Sequence, residues 1–160
     1  MLGITLRQRL MRLSKRSEYG LRALFDLADR TGKSPVSLKE LAARNNLPFK
    51  FMEHIFLPLR NAGIVLSQSG AGGGYSLGRN PEDIFLGEII RTLDGTIAPV
   101  SCVSQIAYEP CSCPDEETCP LRLVMNRVRE AIVDIVDHTS LADAVAESKT
   151  NSNDHQETPT

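Results

Sequence analysis

With 160 residues and 41% apolar content, the chain is the size of one domain with an ample core. It contains no apolar run of about eighteen residues that would cross a membrane as a helix. The net charge of −2 conceals a division: residues 1–80 carry 13 Lys and Arg against 5 Asp and Glu, a net +8, whereas residues 81–160 carry 5 against 15, a net −10. A basic half joined to an acidic half is expected where only the first half meets a polyanion; pairing between the halves is the alternative.

Taken in order, residues 1–10 precede a second methionine, Met11, and read as an N-terminal extension. Ser17 is placed to cap a helix whose apolar positions Leu21, Leu24, Phe25 and Ala28 recur at helical spacing and which stops near Thr31-Gly32. Ser37 starts a shorter helix, SLKELAARNN, with Glu40 at the capping-box position. A third begins near Pro48, carries Phe51, Ile55 and Leu59, with Met52 and Phe56 beside them, on its apolar side, and ends at Gly63. Pro58 lies inside it and is expected to bend it or loosen its last turn. Two short helices joined by a tight turn, the second with a polar face of Lys50, Glu53, His54, Arg60 and Asn61, form a helix-turn-helix pattern.

IVLSQSGAGGGYSLGR then reads as strand, glycine-rich tip and strand, the wing of a winged helix. A phosphate cradle fits less well, because no helix start follows the glycines and no GK[ST] is present. IFLGEIIRTLDG closes a fourth helix at Gly95. From Thr118 a long helix is expected, with Leu121, Val124, Val128, Ala131 or Ile132, and Ile135 spaced as the seam of a coiled-coil-like contact. A dimerisation helix is favoured over a helix lying on its own domain, which would show a similar seam, and a dimer suits a pseudo-palindromic site in double-stranded DNA. Ser140 caps a last short helix, LADAVAE, and the polar tail from Lys149 is expected to be disordered. The division is therefore 1–10 extension, 11–80 winged helix-turn-helix, 81–147 cysteine loop and dimerisation region, 148–160 tail.

All four cysteines, Cys102, Cys111, Cys113 and Cys119, fall within eighteen residues. No secretory signal is recognisable at the start, so a cytoplasmic metal or redox site is expected rather than a disulfide staple. Structural zinc usually shows paired CxxC or added histidines. An iron–sulfur cluster, spreading its ligands over several irons, tolerates the C-x8-C-x-C-x5-C spacing better. Zinc and redox-active thiols remain open on spacing alone. No nucleophile–base pair, nucleotide fingerprint or CxxC dithiol points to an enzyme.

The segments MRLSKRSEYGLRAL (11–24), LKELA (38–42), LRNAGIV (59–65) and GAGGGYSLGR (70–79), with the cysteine loop after them, resemble the IscR/NsrR/RirA family of winged-helix repressors, the Rrf group, over about residues 11–145. That resemblance implies a mainly α fold, a winged head with a two-stranded wing, and a homodimer whose long helices cross. It also implies an iron–sulfur cluster near the dimer interface whose state alters DNA affinity, coupling iron, redox or nitric oxide status to transcription. Cys102, Cys113 and Cys119 match the three family cysteines. The fourth ligand is then Glu18 from the other subunit or Cys111 of the same one, and the cluster is [2Fe–2S] by preference over [4Fe–4S] or zinc. The reading helix maps to Pro48–Asn61, with Lys50, Glu53 and His54 at base edges and Ser37 and Arg60 nearer phosphates. Ser69 stands where many members carry a minor-groove arginine, which weakens that contact, while Arg79 is placed to reach a phosphate.

Overall fold

The computed structural model describes residues 13–154, with side chains to Asn151. Residues 1–12 and 155–160, which include the expected extension and the end of the expected tail, lie outside the described residues. The chain is mainly helical, with one two-stranded antiparallel sheet.

Helix α1 (Lys15–Asp29) is capped by Ser14, whose Oγ accepts from the N–H groups of Arg16 and Ser17 at 3.1 and 3.2 Å. Ser17, the expected cap, instead lies inside the first turn and is fully buried. The helix comes so close to the fourth helix that a Cβ on Gly20 would stand 2.5 Å from Leu93 Cδ1. Helix α2 (Leu38–Arg44) starts at Ser37, whose Oγ accepts the Glu40 N–H at 3.1 Å. Asn46 then takes a left-handed φ of 51°, which Asn tolerates better than most residues, and turns the chain into α3 (Phe49–Asn61). Pro58 does not break α3; the Ala62 N–H reaches the Pro58 carbonyl at 3.0 Å.

Strands β1 (Val65–Gln68) and β2 (Gly74–Leu77) pair with Val65 opposite Leu77 and Gln68 opposite Gly74. A single bridge between Val36 and Tyr75 ties this wing to the residue preceding α2, with N–H to O distances of 2.9 and 2.7 Å. Tyr75 also meets Phe56 edge to face, ring centres 4.9 Å apart. Leu24, Leu41, Met52, Ile55, Phe56, Leu59, Ile64 and Val65 are fully buried and knit α1, α2, α3 and the wing into one core.

Helix α4 (Leu86–Asp94) adds Ile89 and Leu93 to that core and ends at Gly95, where φ is 86°. The cysteine loop follows, then α5 (Pro120–His138) and α6 (Leu141–Asp154). Ser140 and Asp143 cap α6 reciprocally: the Asp143 N–H donates to Ser140 Oγ at 3.1 Å and the Ser140 N–H to Asp143 Oδ2 at 2.9 Å. This helix is longer than expected, continuing past Lys149, where an unstructured tail had been expected to begin. It lies on α1, and Lys149 pairs with Asp29. Leu141 is fully buried, so the C-terminal helix is part of the head's core.

Candidate nucleic-acid interface and metal centre

Helix α3 divides cleanly. Met52, Ile55, Phe56 and Leu59 are buried, whereas Lys50, Glu53, His54, Leu57, Arg60 and Asn61 are exposed along the other side. The core therefore turns the expected reading residues outward as one stripe. Ser37 and Arg79 stand differently. Ser37 Oγ is exposed and used as the α2 cap. The Arg79 guanidinium is engaged by Glu88 at 2.6 Å and by the Asp83 carbonyl at 3.2 Å, which tethers the wing's end to α4. Reaching a phosphate requires Arg79 to exchange those contacts. Ser69 is exposed at the wing tip beside Gly70 and Gly72, both at positive φ. Arg44 belongs to the scaffold: it grips Asp26 of α1 through two 2.9 Å bonds.

The second site is built between α4 and α5. Cys102 lies buried in a 3-10 turn (Ser101–Val103), Cys119 is the buried residue preceding α5, and Cys111 and Cys113 are half-buried in the loop. All four are free thiols. Cys113 and Cys119 place their sulfurs 3.4 Å apart. Cys102 Sγ, Cys111 Sγ and a carboxylate oxygen of Glu116 all lie within 4.8 Å of one another. Loop shape comes from local polar contacts. Asp115 accepts from the Glu117 N–H at 3.0 Å and from Thr118 Oγ1 at 2.6 Å, while Ser104 Oγ takes the Ala107 N–H at 2.9 Å.

These thiols perturb each other. Burial, then the neighbouring Cys111 sulfur, pushes the Cys102 thiol up. Contacts with Cys111 and Cys119 push Cys113 up to about 12. Cys119 moves the other way, lowered first by the Arg122 amide in the opening turn of α5 and then by the Cys113 thiol. Such crowding disfavours several thiolates at once, and a soft cation relieves it. Four thiols and one carboxylate therefore suit a thiolate-bound metal centre. Beside Cys102 a cleft of about 410 Å³ is lined by Tyr108, Arg122, Asn126 and Arg129 among others.

Glu18, the expected partner-subunit ligand, sits half-buried on α1 and pairs with Lys15 at 2.6 Å. The metal-capable group within one protomer does not include it. Sequence reasoning missed Glu116, Tyr108 and Arg122. Tyr108 donates to Glu116 Oε2 at 2.6 Å, and Arg122 Nε, 3.5 Å from Glu116 Oε1, donates to the Cys102 carbonyl at 3.2 Å. The adjacency of Glu116 to Cys119 in EETC was the available signal.

A helix-turn-helix with an outward polar second helix and a pinned two-stranded wing is the winged-helix architecture of DNA-binding transcription regulators. Residues 13–147 match the Rrf2 model, described as iron-dependent transcriptional regulator, and the chain belongs to that family. It is 41% identical over 133 residues to the transcriptional regulator CymR of Bacillus subtilis, covering 83% of this chain and 88% of that one. The solved structure of that protein, titled a global cysteine regulator, superposes with a TM-score of 0.73 at 37% identity over 86% of this chain and 98% of the other. IscR of T. potens superposes at 0.69 with 31% identity, covering 94% and 93%. No helix among the described residues is long and apolar enough to cross a membrane.

Proposed function

We propose that this regulator acts as a homodimer on a two-fold DNA site, and that an iron–sulfur cluster in the Cys102–Cys119 loop sets its DNA affinity. The convergence of four free thiols immediately before α5 carries the reading. Together with one further ligand, Cys102, Cys113 and Cys119 would hold the cluster, [2Fe–2S] by the family resemblance, and when bound it supplies an iron- and redox-sensitive charge at the base of α5. Lys50, Glu53 and His54 face base edges, Arg60 the backbone.

Dimerisation is supported by α5 itself. Leu121, Val124 and Ile135 are 58%, 51% and 64% exposed, and Val128 and Ala131 complete the same stripe. An apolar stripe of that length on a single protomer needs a cover. On the opposite side, Arg129 is buried against the protein body, so the stripe is the side left over for a second copy.

The test is a visible absorption spectrum with iron and sulfide assays on protein purified without oxygen, followed by DNA binding before and after cluster removal. Bands above about 400 nm, with iron and sulfide in matching amounts and a changed DNA affinity, are expected. A colourless protein containing zinc assigns the loop to structure and removes the sensing mechanism.

A further inference from the structure

Building on the cluster reading, we infer that Glu116 is a ligand of the metal centre, supplied by the same protomer that supplies the cysteines. Three observations meet there. The carboxylate lies with the Cys102 and Cys111 sulfurs inside a 4.8 Å group, the only such three-donor set among the described residues. Its Oε1 is buried and finds no hydrogen-bond partner. Its Oε2 is held by the Tyr108 hydroxyl at 2.6 Å.

A buried carboxylate oxygen without a hydrogen bond is costly; the Arg122 guanidinium, 3.5 Å away, compensates it through charge alone, and a cation at the adjacent thiols would bind it directly. Tyr108 is then a positioning residue: its hydrogen bond fixes the carboxylate rotamer beside the sulfurs, as partners behind metal ligands commonly do. Arg122 bridges the same region, 3.5 Å from Oε1 and bonded to the Cys102 carbonyl. Its guanidinium offsets the negative charge that thiolates and a carboxylate gather at one centre. A carboxylate among thiolates is a hard ligand on a soft site, the most readily displaced member of the set. That gives one iron an exchangeable position without a residue from another subunit.

The experiment uses the cluster-loaded full chain without oxygen. Iron loss to excess EDTA, the visible spectrum and the reduction midpoint are compared for wild type, Glu116→Gln, Glu116→Cys, Tyr108→Phe and Glu18→Gln. Glu116→Gln is expected to lose iron at least about tenfold faster, on the scale at which weakened metal-site support acts, with altered visible bands. Glu116→Cys restores retention and lowers the midpoint; Tyr108→Phe accelerates loss by a smaller factor; Glu18→Gln matches wild type. Wild-type retention and spectrum in Glu116→Gln overturn the assignment, as does a loss confined to Glu18→Gln. Should Glu116→Gln not fold, an unchanged Tyr108→Phe overturns it instead. A wild-type protein free of iron and sulfide defeats the cluster reading itself, a separate result.

Discussion

Arg91 on α4 and Asp137 on α5 form a two-pronged ion pair, with Nη1–Oδ1 at 2.7 Å and Nη2–Oδ2 at 2.9 Å. It ties the helix packed into the winged head to the far end of the helix that begins at Cys119. Gly87 makes room for it, because a Cβ there would stand 1.9 Å from Asp137 Oδ1. The pair is a direct contact between the winged head and the helix that follows the cysteine loop.

Arg91 holds the Asp137 carboxyl below its usual range. A depressed folded-state pKa means stability present above the unfolded Asp value of about 3.9 and lost as pH falls through the folded value. Both side chains are about a third exposed, 34% and 35%, so solvent screening keeps the contribution to about 1 kcal/mol. Asp137→Asn is therefore expected to lower the unfolding free energy at pH 7 by that amount, read from the midpoint and slope of urea unfolding. The gap from wild type closes as both are titrated below pH ~4. A gap of constant size across that range would show that packing, not charge, is lost.

The outward stripe of α3 makes a second expectation concrete. Lys50→Ala or His54→Ala is expected to relax preference at particular base pairs by about 1–3 kcal/mol. Arg60→Ala should weaken all sequences alike and reduce the salt slope by about one. Competition binding across a randomised operator at two salt concentrations separates the two behaviours. Uniform weakening by all three variants would move the reading face elsewhere.

Much of this was legible in the chain because periodicity reports burial. Met52, Ile55, Phe56 and Leu59 repeat at helical spacing, and the polar residues between them had to face out. The N-cap of α1 was harder: Ser14 and Ser17 are one turn apart, and only the fold sets Ser14 against Asp94 at the end of α4 and buries Ser17. Helix α6 runs past Lys149 because it rests on α1, a contact that polar composition does not announce. Arg79 reads as a free cation until the fold brings Glu88 beside it. Glu116 was overlooked for a similar reason: only the folded loop sets Tyr108 behind it and two thiols before it.

The seam on α5 carries a test of assembly. Ile135 is 64% exposed in the protomer, so Ile135→Asp should not disturb the fold of a single chain. If that stripe closes a dimer, burying an unpaired carboxylate there costs several kcal/mol. Sedimentation is expected to show a monomer with unchanged helix content and unfolding slope. A dimer of wild-type affinity would place the interface on another surface.

The wing supplies the last expectation. Gly74 begins β2 where the strand meets Val36, and a Cβ there would lie 2.4 Å from both the carbonyl carbon and oxygen of that residue. These are backbone atoms, so no rotamer change relieves the contact. Gly74→Ala must push the wing away from the segment preceding α2, breaking the Val36–Tyr75 bridge and loosening the Tyr75 ring from Phe56. Overpacking of this kind costs about 1–3 kcal/mol. Because the displaced element flanks the reading helix without belonging to it, DNA affinity should fall for every sequence while base preference on α3 is kept. Hydrogen exchange at the Val36 and Tyr75 amides, bonded at 2.9 and 2.7 Å in the native wing, checks the cause: both must exchange faster in the variant. Protection equal to wild type alongside weaker binding would mean that Gly74 acts on DNA directly and not through the seating of the wing.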